Sequence, residues 1–399
     1  MKLSVKTGSL VMATNATKVA ETVFTSSMFW IPLCAIISAI TTYNLYLQSN
    51  RDGQGEPFAW FSGASAWPSI GIDILAGLLS IHFLVKAYFS LQSNAAELTE
   101  EFSLTGLAPK ASSWFGWDPV SGPPVGDTSS NDKPKPVSKI DVAALWQGYL
   151  QRCRPLRRLL RIVPMVVFYF LALCLLFDIL GPPSHVPIRN FQLFVPIIFV
   201  TVVLFLLLSF FVLDAIHLHE GFLRQLSDRE SSWPQKTFEN YEYSADLPVT
   251  TQRDLADYWD LLLVASRTEA IGKIVYYPFV VLSLLIVARF GVFTNWTWSP
   301  SLLTAFALHA GLVFYTGWRL PLVANRYKNT VLERLKRRKR QTLTEARRLP
   351  EAADTLIEEI ESMHQGAFAY LWEQPALRAL VFPSGGLGLL SLLQHFVNS

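Results

Sequence analysis

Six long apolar runs limit what this 399-residue chain can fold into more than any other feature. Each run has about 20 residues, and a helix of that length crosses a hydrocarbon core of roughly 30 Å. Because every backbone amide in lipid must be satisfied within the structure, runs of this length are predicted to be helices. The runs cover residues 28–48, 68–92, 162–182, 191–216, 272–294 and 301–323.

The composition agrees with a membrane class. Only 16% of the residues are charged, whereas soluble domains carry about 25%. Phenylalanine and tryptophan are frequent, with 27 and 12 copies, as expected where rings lie at the level of the lipid headgroups. The sequence therefore predicts an all-α integral membrane protein with six transmembrane helices.

The distribution of lysine and arginine predicts the orientation of these helices. Segment 93–161 contains nine basic residues, segment 217–271 contains five, and the chain from Arg319 onward contains twelve. The three opposite loops contain only Arg51 and Arg189. The positive-inside rule then places both termini and both long loops in the cytoplasm.

This topology divides the chain into transmembrane hairpins and polar segments. The hairpins are predicted at 28–92, 162–216 and 272–323. The cytoplasmic parts are a lead at 1–27, a linker with an amphipathic helix at 93–161, a helical loop at 217–271 and a helical tail at 324–399.

The last hairpin is predicted to have helical extensions on both sides. A polar helix at 253–272 leads directly into the fifth apolar run, and a strongly basic helix at 326–348 follows the sixth. The next helix, at 351–363, is acidic. We expect it to pair antiparallel with the basic helix, because opposite charges favour that register.

Segment 93–161 separates into two parts. Residues 105–139 are rich in Pro, Gly, Ser and Asp and are typical of a flexible linker. Residues 140–160 are predicted to be an amphipathic helix lying on the membrane surface. Its apolar stripe consists of Val142, Leu145, Tyr149, Leu156 and Leu160. The arginines predicted to bind anionic lipid headgroups are Arg152, Arg154, Arg157, Arg158 and Arg161.

Charged residues inside the runs are candidate functional residues, because a charge in lipid is costly. Asp73 and Arg289 are predicted to lie at a similar depth near the outer surface, where they could pair. Lys86 and Asp214 are both predicted near the inner surface, and Asp178 is a second candidate partner for Arg289. These groups are expected either to hold helices together or to line a polar pathway.

Histidines offer two further hypotheses. His82 and His309 are predicted near mid-membrane, where each is either a proton relay or a histidine bonded to a backbone carbonyl. Asp214, His217 and Glu220 are spaced three residues apart on a helix, a spacing that can hold a transition metal. The alternative is that these three are ordinary polar residues, exposed to solvent at the end of a helix.

Searches for enzyme motifs are negative. The chain has no Gly-Lys-Ser/Thr phosphate loop, no Gly-x-Ser-x-Gly elbow and no Cys-x-x-Cys pair. It also has no basic patch interleaved with aromatic residues on a recognisable nucleic-acid module. We therefore expect a protein that is not an enzyme, uses no cofactor and binds no nucleic acid.

The function predicted from these features is an oligomeric pore or conduit, or a membrane-embedded effector that meets a cytoplasmic partner protein through its helical extensions. Small residues in the second run favour close helix contact and a homo-oligomer: Gly71, Ala76, Gly77 and Ser80. One alternative is a secondary transporter that uses Asp73, Lys86 and Arg289. The other is a membrane enzyme with an unrecognised site.

Part of the chain resembles a known group of proteins. The sequence Arg-Thr-Glu-Ala-Ile-Gly-Lys at 267–273, Tyr-Tyr-Pro-Phe at 276–279 and the tail at 366–383 are similar to uncharacterised bacterial multi-pass membrane proteins. The resemblance covers about the last third of the chain. It implies a bacterial origin and an inner membrane, but it implies no activity.

Overall fold

The computed structural model describes residues 66–105, 139–181, 191–227, 229–242, 252–289, 300–346 and 351–369. This part of the chain is helical apart from one small sheet. Five of its helices are long and apolar enough to cross a membrane, which supports a multi-pass membrane protein. The first predicted run, at 28–48, lies outside the described residues, as do 106–138 of the predicted linker and the tail beyond 369.

The elements follow one another in a simple order. They are α1 Ala66–Glu101, β1 Lys139–Asp141, α2 Val142–Arg152, α3 Pro155–Leu180, α4 Phe191–Ser227, β2 Glu230–Ser232, α5 Gln235–Glu242, α6 Gln252–Val287, α7 Pro300–Ala346, α8 Glu351–Ser362 and the 3-10 turn Gly366–Phe368.

Helices α6 and α7 are each continuous, as the sequence predicts for the extended hairpin. The 36 residues of α6 are about 54 Å long at 1.5 Å per residue, whereas a hydrocarbon core is roughly 30 Å thick. The apolar part of α6 begins at Ala270. Residues 252–269 therefore project beyond the membrane-spanning segment, as does the basic end of α7.

Buried side chains form three clusters stacked along these helices. Two apolar clusters lie among the spanning parts of α1, α4 and α6. A third, which we call the juxtamembrane core, joins the polar ends of the long helices to β1, α2, α8 and the turn. Its largest wholly buried side chains include Trp146, Tyr149, Phe222 and Trp259.

The long helices differ in how much of their apolar part the protein buries. The fraction is 61% for α6 but 11% for α3. Helix α6 is thus the central helix of the bundle, in contact with α1, α4 and α7. Helix α3 is peripheral, and exposed side chains such as Phe168, Leu171 and Ile179 cover its outer face.

The prediction of one amphipathic helix at 140–160 on the membrane surface is wrong. The segment begins as a strand, and its helical part breaks at Cys153 and Arg154, because Pro155 disfavours a helical residue before it and starts the next helix. Val142, Leu145 and Tyr149 are buried in the juxtamembrane core. Leu156 and Leu160, on the next helix, are exposed.

A short parallel sheet, which the sequence does not predict, fixes the start of α2. Lys139 pairs with Glu230 and Asp141 with Ser232. The Asp141 carboxylate then accepts hydrogen bonds from the backbone amides of Ala143 and Ala144, which caps the helix. The sheet thereby holds α2 beside the connection that follows α4.

The small residues of α1 pack within the protein. Ala76 and Ser80 are fully buried. A Cβ atom on Gly77 would lie 3.0 Å from the Thr201 hydroxyl oxygen of α4, whereas Gly71 has open space around it. Gly77 of this small-residue face therefore packs against α4 within the protein, and a homo-oligomer stays a prediction.

Helices α7 and α8 are antiparallel, as their opposite charges predict. Lys336 pairs with Glu361 at 2.7 Å and Lys339 pairs with Asp354. Lys328 donates to the backbone carbonyls of Glu361 and Met363. Exposed pairs of this kind contribute little stability each, but they determine the register of the two helices.

Candidate functional site

An ion pair between Asp73 of α1 and Arg289, just after α6, lies among the spanning helices. Arg289 Nη1 is 2.8 Å from Asp73 Oδ2, and the two side chains are 6% and 2% exposed. The sequence suggested this pair from depth alone, and the structure brings the two residues together. Thr201 of α4 donates to the Asp73 backbone carbonyl at 3.1 Å, so the pair joins three helices.

The other pairings suggested from depth do not form. Lys86 is exposed, and Asp214 pairs with Arg158 and Arg161 of α3 instead. Asp178 is exposed on the peripheral helix α3. These suggestions fail because equal depth does not determine which way a side chain points around its helix.

A cluster of charges lies where α3 begins. Arg161 holds Asp214 with both ends of its guanidinium group, Nε to Oδ1 at 2.8 Å and Nη2 to Oδ2 at 3.1 Å. The same Nη2 donates to the Arg152 carbonyl. Arg158 Nε is 3.2 Å from Asp214 Oδ2, and its guanidinium carbon lies 4.4 Å from the centre of the Phe211 ring.

The five arginines predicted to bind headgroups thus have different environments. Arg158 is buried, and Arg161 points toward Asp214. Arg154 is exposed, and Arg157 and Arg152 are half-buried. Arg158 is buried because the break before Pro155 starts a new helix that turns this residue inward, and headgroup binding stays a prediction for all five arginines.

Arg267 of α6 connects three helices. It is 1% exposed and donates to the Tyr149 hydroxyl at 3.1 Å, the Leu91 carbonyl at 2.7 Å and Asn94 Oδ1 at 3.0 Å. Among the described residues, no carboxylate forms an ion pair with it. Burial raises the pKa of the Tyr149 hydroxyl to about 12, although the charges of Arg267 and Arg158 oppose the shift.

Sequence reasoning used Arg267 only as one of the basic residues that set the orientation. The available signal was an arginine five residues before residue 272, where the fifth apolar run begins, on a helix predicted to continue into the membrane. Such a residue lies close to the membrane boundary, where a buried charge requires several acceptors.

The predicted metal ligands do not converge. Asp214 is held by arginines, Glu220 pairs with Arg224 and Arg319, and His217 is exposed. No group of three candidate metal ligands occurs in the part of the chain that the structure describes. His219, which belongs to the same polar cluster in the sequence, is fully buried and packs against the rings of Tyr149 and Phe222.

The two histidines in the spanning segments have different surroundings. His309 of α7 is buried, and its Nε2 lies 2.9 Å from the Ser209 hydroxyl of α4. That hydroxyl donates to the Phe205 carbonyl, so the histidine links two helices. His82 is half-buried beside Phe83. A proton-relay role stays a prediction for both.

A buried carboxylate, Asp260, lies in the projecting part of α6. Trp233 Nε1 donates to one of its oxygens and the Tyr327 hydroxyl donates to the other, both at 3.0 Å. Burial, and secondarily the charge of Asp257, raises the pKa of Asp260 to about 7, whereas the hydrogen bonds from Ser231, Tyr327 and Trp233 act in the opposite direction.

Asp260 is the last of three acids spaced three residues apart along one side of α6. Arg338 of α7 donates to both Asp254 and Asp257, which ties the projecting ends of α6 and α7 together. Burial raises the pKa of Asp257 as well, and Arg338 opposes that shift. The repeated spacing was visible in the sequence, but the identity of the partners was not.

We expect stability to fall as the pH rises through the range in which Asp260 ionises. Between its unfolded pKa of about 3.9 and its folded value of about 7, the folded state holds one more proton than the unfolded state. Each pH unit in that window then costs about 1.4 kcal/mol. Asp260→Asn should flatten this dependence, measured by thermal unfolding from acid to neutral pH. An equally steep profile in the variant would contradict the assignment.

No protein-family model, curated protein or solved structure matches the chain.

Proposed function

We propose that this protein is a non-enzymatic, membrane-embedded effector in which the packing of the bilayer helices is coupled to the juxtamembrane core. The observation that carries the proposal is the continuity of α6 and α7. Each is one unbroken helix with an apolar part among the spanning helices and a polar end in the juxtamembrane core. A tilt of either helix in the bilayer therefore moves side chains of that core.

Specific contacts make the projecting ends move as one unit. Arg338 bonds to Asp254 and Asp257, and Tyr327 bonds to Asp260, so α7 is attached to α6 over two turns. Buried charge-assisted bonds of this kind resist separation, because breaking one leaves a charge without a partner. The same unit is the proposed contact for a cytoplasmic partner protein.

The placement of the charges favours this function over transport by the predicted residues. Asp73 and Arg289 neutralise each other, and Lys86 is exposed rather than aligned with them. The proposal retains the predicted bacterial inner membrane with cytoplasmic termini. It does not require a homo-oligomer, since the small-residue face of α1 packs on α4.

Coupling is testable by hydrogen exchange in bilayers of short-chain and long-chain lipids. A mismatch between the apolar length of a helix and the thickness of the bilayer costs fractions of a kcal/mol per Å. A change of about 1.4 kcal/mol shifts the equilibrium of local opening tenfold. We expect amide exchange in α8 and in the Gly366–Phe368 turn to change several-fold with bilayer thickness. Arg338→Gln should remove that dependence, whereas Lys336→Gln, which loses only an exposed pair, should retain it. If amide exchange in the wild-type protein did not change with bilayer thickness, the proposal would be refuted.

A pore or conduit is the second candidate, and one observation favours it. Asp73 Oδ1, Tyr169 Oη and His309 Nδ1 are buried polar atoms that lack a hydrogen-bond partner among the described residues. Ion flux through the purified protein in liposomes tests it. Flux that is lost in Asp73→Asn and Arg289→Gln would support a conduit, and dependence on a solute gradient would identify a carrier. No flux in the wild type would exclude both.

A further inference from the structure

Positive charge exceeds negative charge where α3 meets the juxtamembrane core. Arg158, Arg161 and Arg267 are the guanidinium groups, and within the described residues Asp214 is the one carboxylate paired with any of them. Arg267 donates to the Tyr149 hydroxyl at 3.1 Å, and Arg158 is also close enough for its charge to act on that hydroxyl. A buried charge without a counter-charge costs several kcal/mol, so an anion would stabilise this cluster.

Arg158 has the donors to hold such an anion. The residue is 3% exposed, and neither its Nε nor its Nη2 has a hydrogen-bond acceptor among the residues that the structure describes. Its Nε is near Asp214 in distance, but the bidentate bonds of Arg161 occupy that carboxylate. An unsatisfied buried donor costs about 1–3 kcal/mol, and more when it is charged.

A second buried group without a partner lies next to the same tyrosine. His219 is fully buried, and neither ring nitrogen has a hydrogen-bond partner in the described part of the chain. Its ring packs edge-on against Tyr149 at 6.2 Å between centroids. Unpaired donors on Arg158 and unpaired nitrogens on His219 thus occur around one residue.

We propose that this cluster, Arg158 with Arg161, Arg267 and His219 around Tyr149, binds a phosphate group. The planar guanidinium fork matches two phosphate oxygens at once, and arginine is favoured wherever such bidentate recognition is needed. The phosphate belongs either to the headgroup of an anionic phospholipid or to a free phosphate ion. This inference is independent of the proposed coupling function.

The position of the cluster allows access from the lipid side. It lies at the first turns of α3, the least buried of the long helices. Leu159 and Leu160, which lie between Arg158 and Arg161 in the sequence, are exposed, and the Arg161 side chain is 14% exposed. A headgroup at the membrane boundary can therefore approach Arg158 past Arg161, with its acyl chains along the apolar face of α3.

Titration of the delipidated protein tests the site. The probes are phosphatidylglycerol, which is anionic, phosphatidylcholine, which has no net charge, and inorganic phosphate. We expect phosphatidylglycerol to raise the midpoint of thermal unfolding and to remain bound in native mass spectrometry, with little effect from phosphatidylcholine. A response to inorganic phosphate as well would identify a free ion as a second source. No response to either anionic probe would overturn the proposal.

Two variants that are expected to change the affinity for phosphatidylglycerol in opposite directions distinguish an effect on binding from an effect on folding. Arg158→Gln should weaken phosphatidylglycerol binding at least tenfold. Asp214→Asn should tighten it, because the competing carboxylate is gone, even though this variant is less stable without lipid. Arg224→Gln is the matched control, since Arg224 is mostly exposed and pairs with Glu220 one turn away. Unchanged affinity in Arg158→Gln, or weaker affinity in Asp214→Asn, would overturn the proposal.

Discussion

Asp73→Asn is expected to destabilise the protein by about 3–5 kcal/mol, because it removes one of the two charges of a buried ion pair. Arg289→Gln should cost less. A carboxyl group can lose its charge by binding a proton, whereas a guanidinium group cannot. The measurement is thermal unfolding in detergent, together with the fraction of protein that stays monodisperse.

The double variant Asp73→Asn with Arg289→Gln completes a double-mutant cycle with the two single variants. It should recover most of the loss, because a neutral pair of similar shape replaces the ion pair. Lys86→Gln and Asp178→Asn are the controls, since both residues are exposed on long helices. Losses that simply add in the double variant would show that the two charges do not depend on each other.

Gly366→Ala is expected to detach the turn that follows α8 from α6, at a cost of about 2–5 kcal/mol. The glycine has a φ of +58°, and a Cβ atom there would lie 2.2 Å from the Ala265 carbonyl oxygen and 2.6 Å from Thr268 Oγ1. The Ala265 oxygen belongs to helix backbone and cannot move aside. The hydrogen bond from the Ala367 amide to the Thr268 hydroxyl would also be lost.

Detachment is measured by amide exchange and limited proteolysis at 363–369, together with thermal unfolding. Gly181→Ala measures the cost of a positive φ without a clash, because Gly181 has a φ of +83° and no described residue within 4 Å of an added Cβ atom; it should cost about 1–3 kcal/mol. Gly311→Ala, in open space within a helix, should be neutral or slightly stabilising. A Gly366→Ala loss no larger than that of Gly181→Ala would show that the contact with α6 is unimportant.

Properties that depend on distance along the chain were predictable from the sequence. The length of an apolar run relates directly to membrane thickness, and the five later predicted runs lie mostly within helices that are long and apolar enough to cross a membrane. The continuity of α6 and α7 was predicted because the polar and apolar parts of each adjoin without an intervening loop, and Pro321 lies inside α7 near that change without ending the helix. Depth, which is also a distance along the helix, was enough to suggest that Asp73 and Arg289 are neighbours.

Properties that depend on rotation about a helix axis were decided only by the tertiary structure. Asp214 lies at a depth that Lys86 could match, but the helix break before Pro155 directs Arg158 and Arg161 toward it instead. The stripe of α2 faces a protein core rather than lipid, because an apolar stripe has the same pattern in either setting. Arg267 bonds to partners more than a hundred residues away in the sequence. The partners of Asp260 are about thirty and about seventy residues away. Contacts at that separation arise from the packing of the helices, and local sequence patterns contain no information about them.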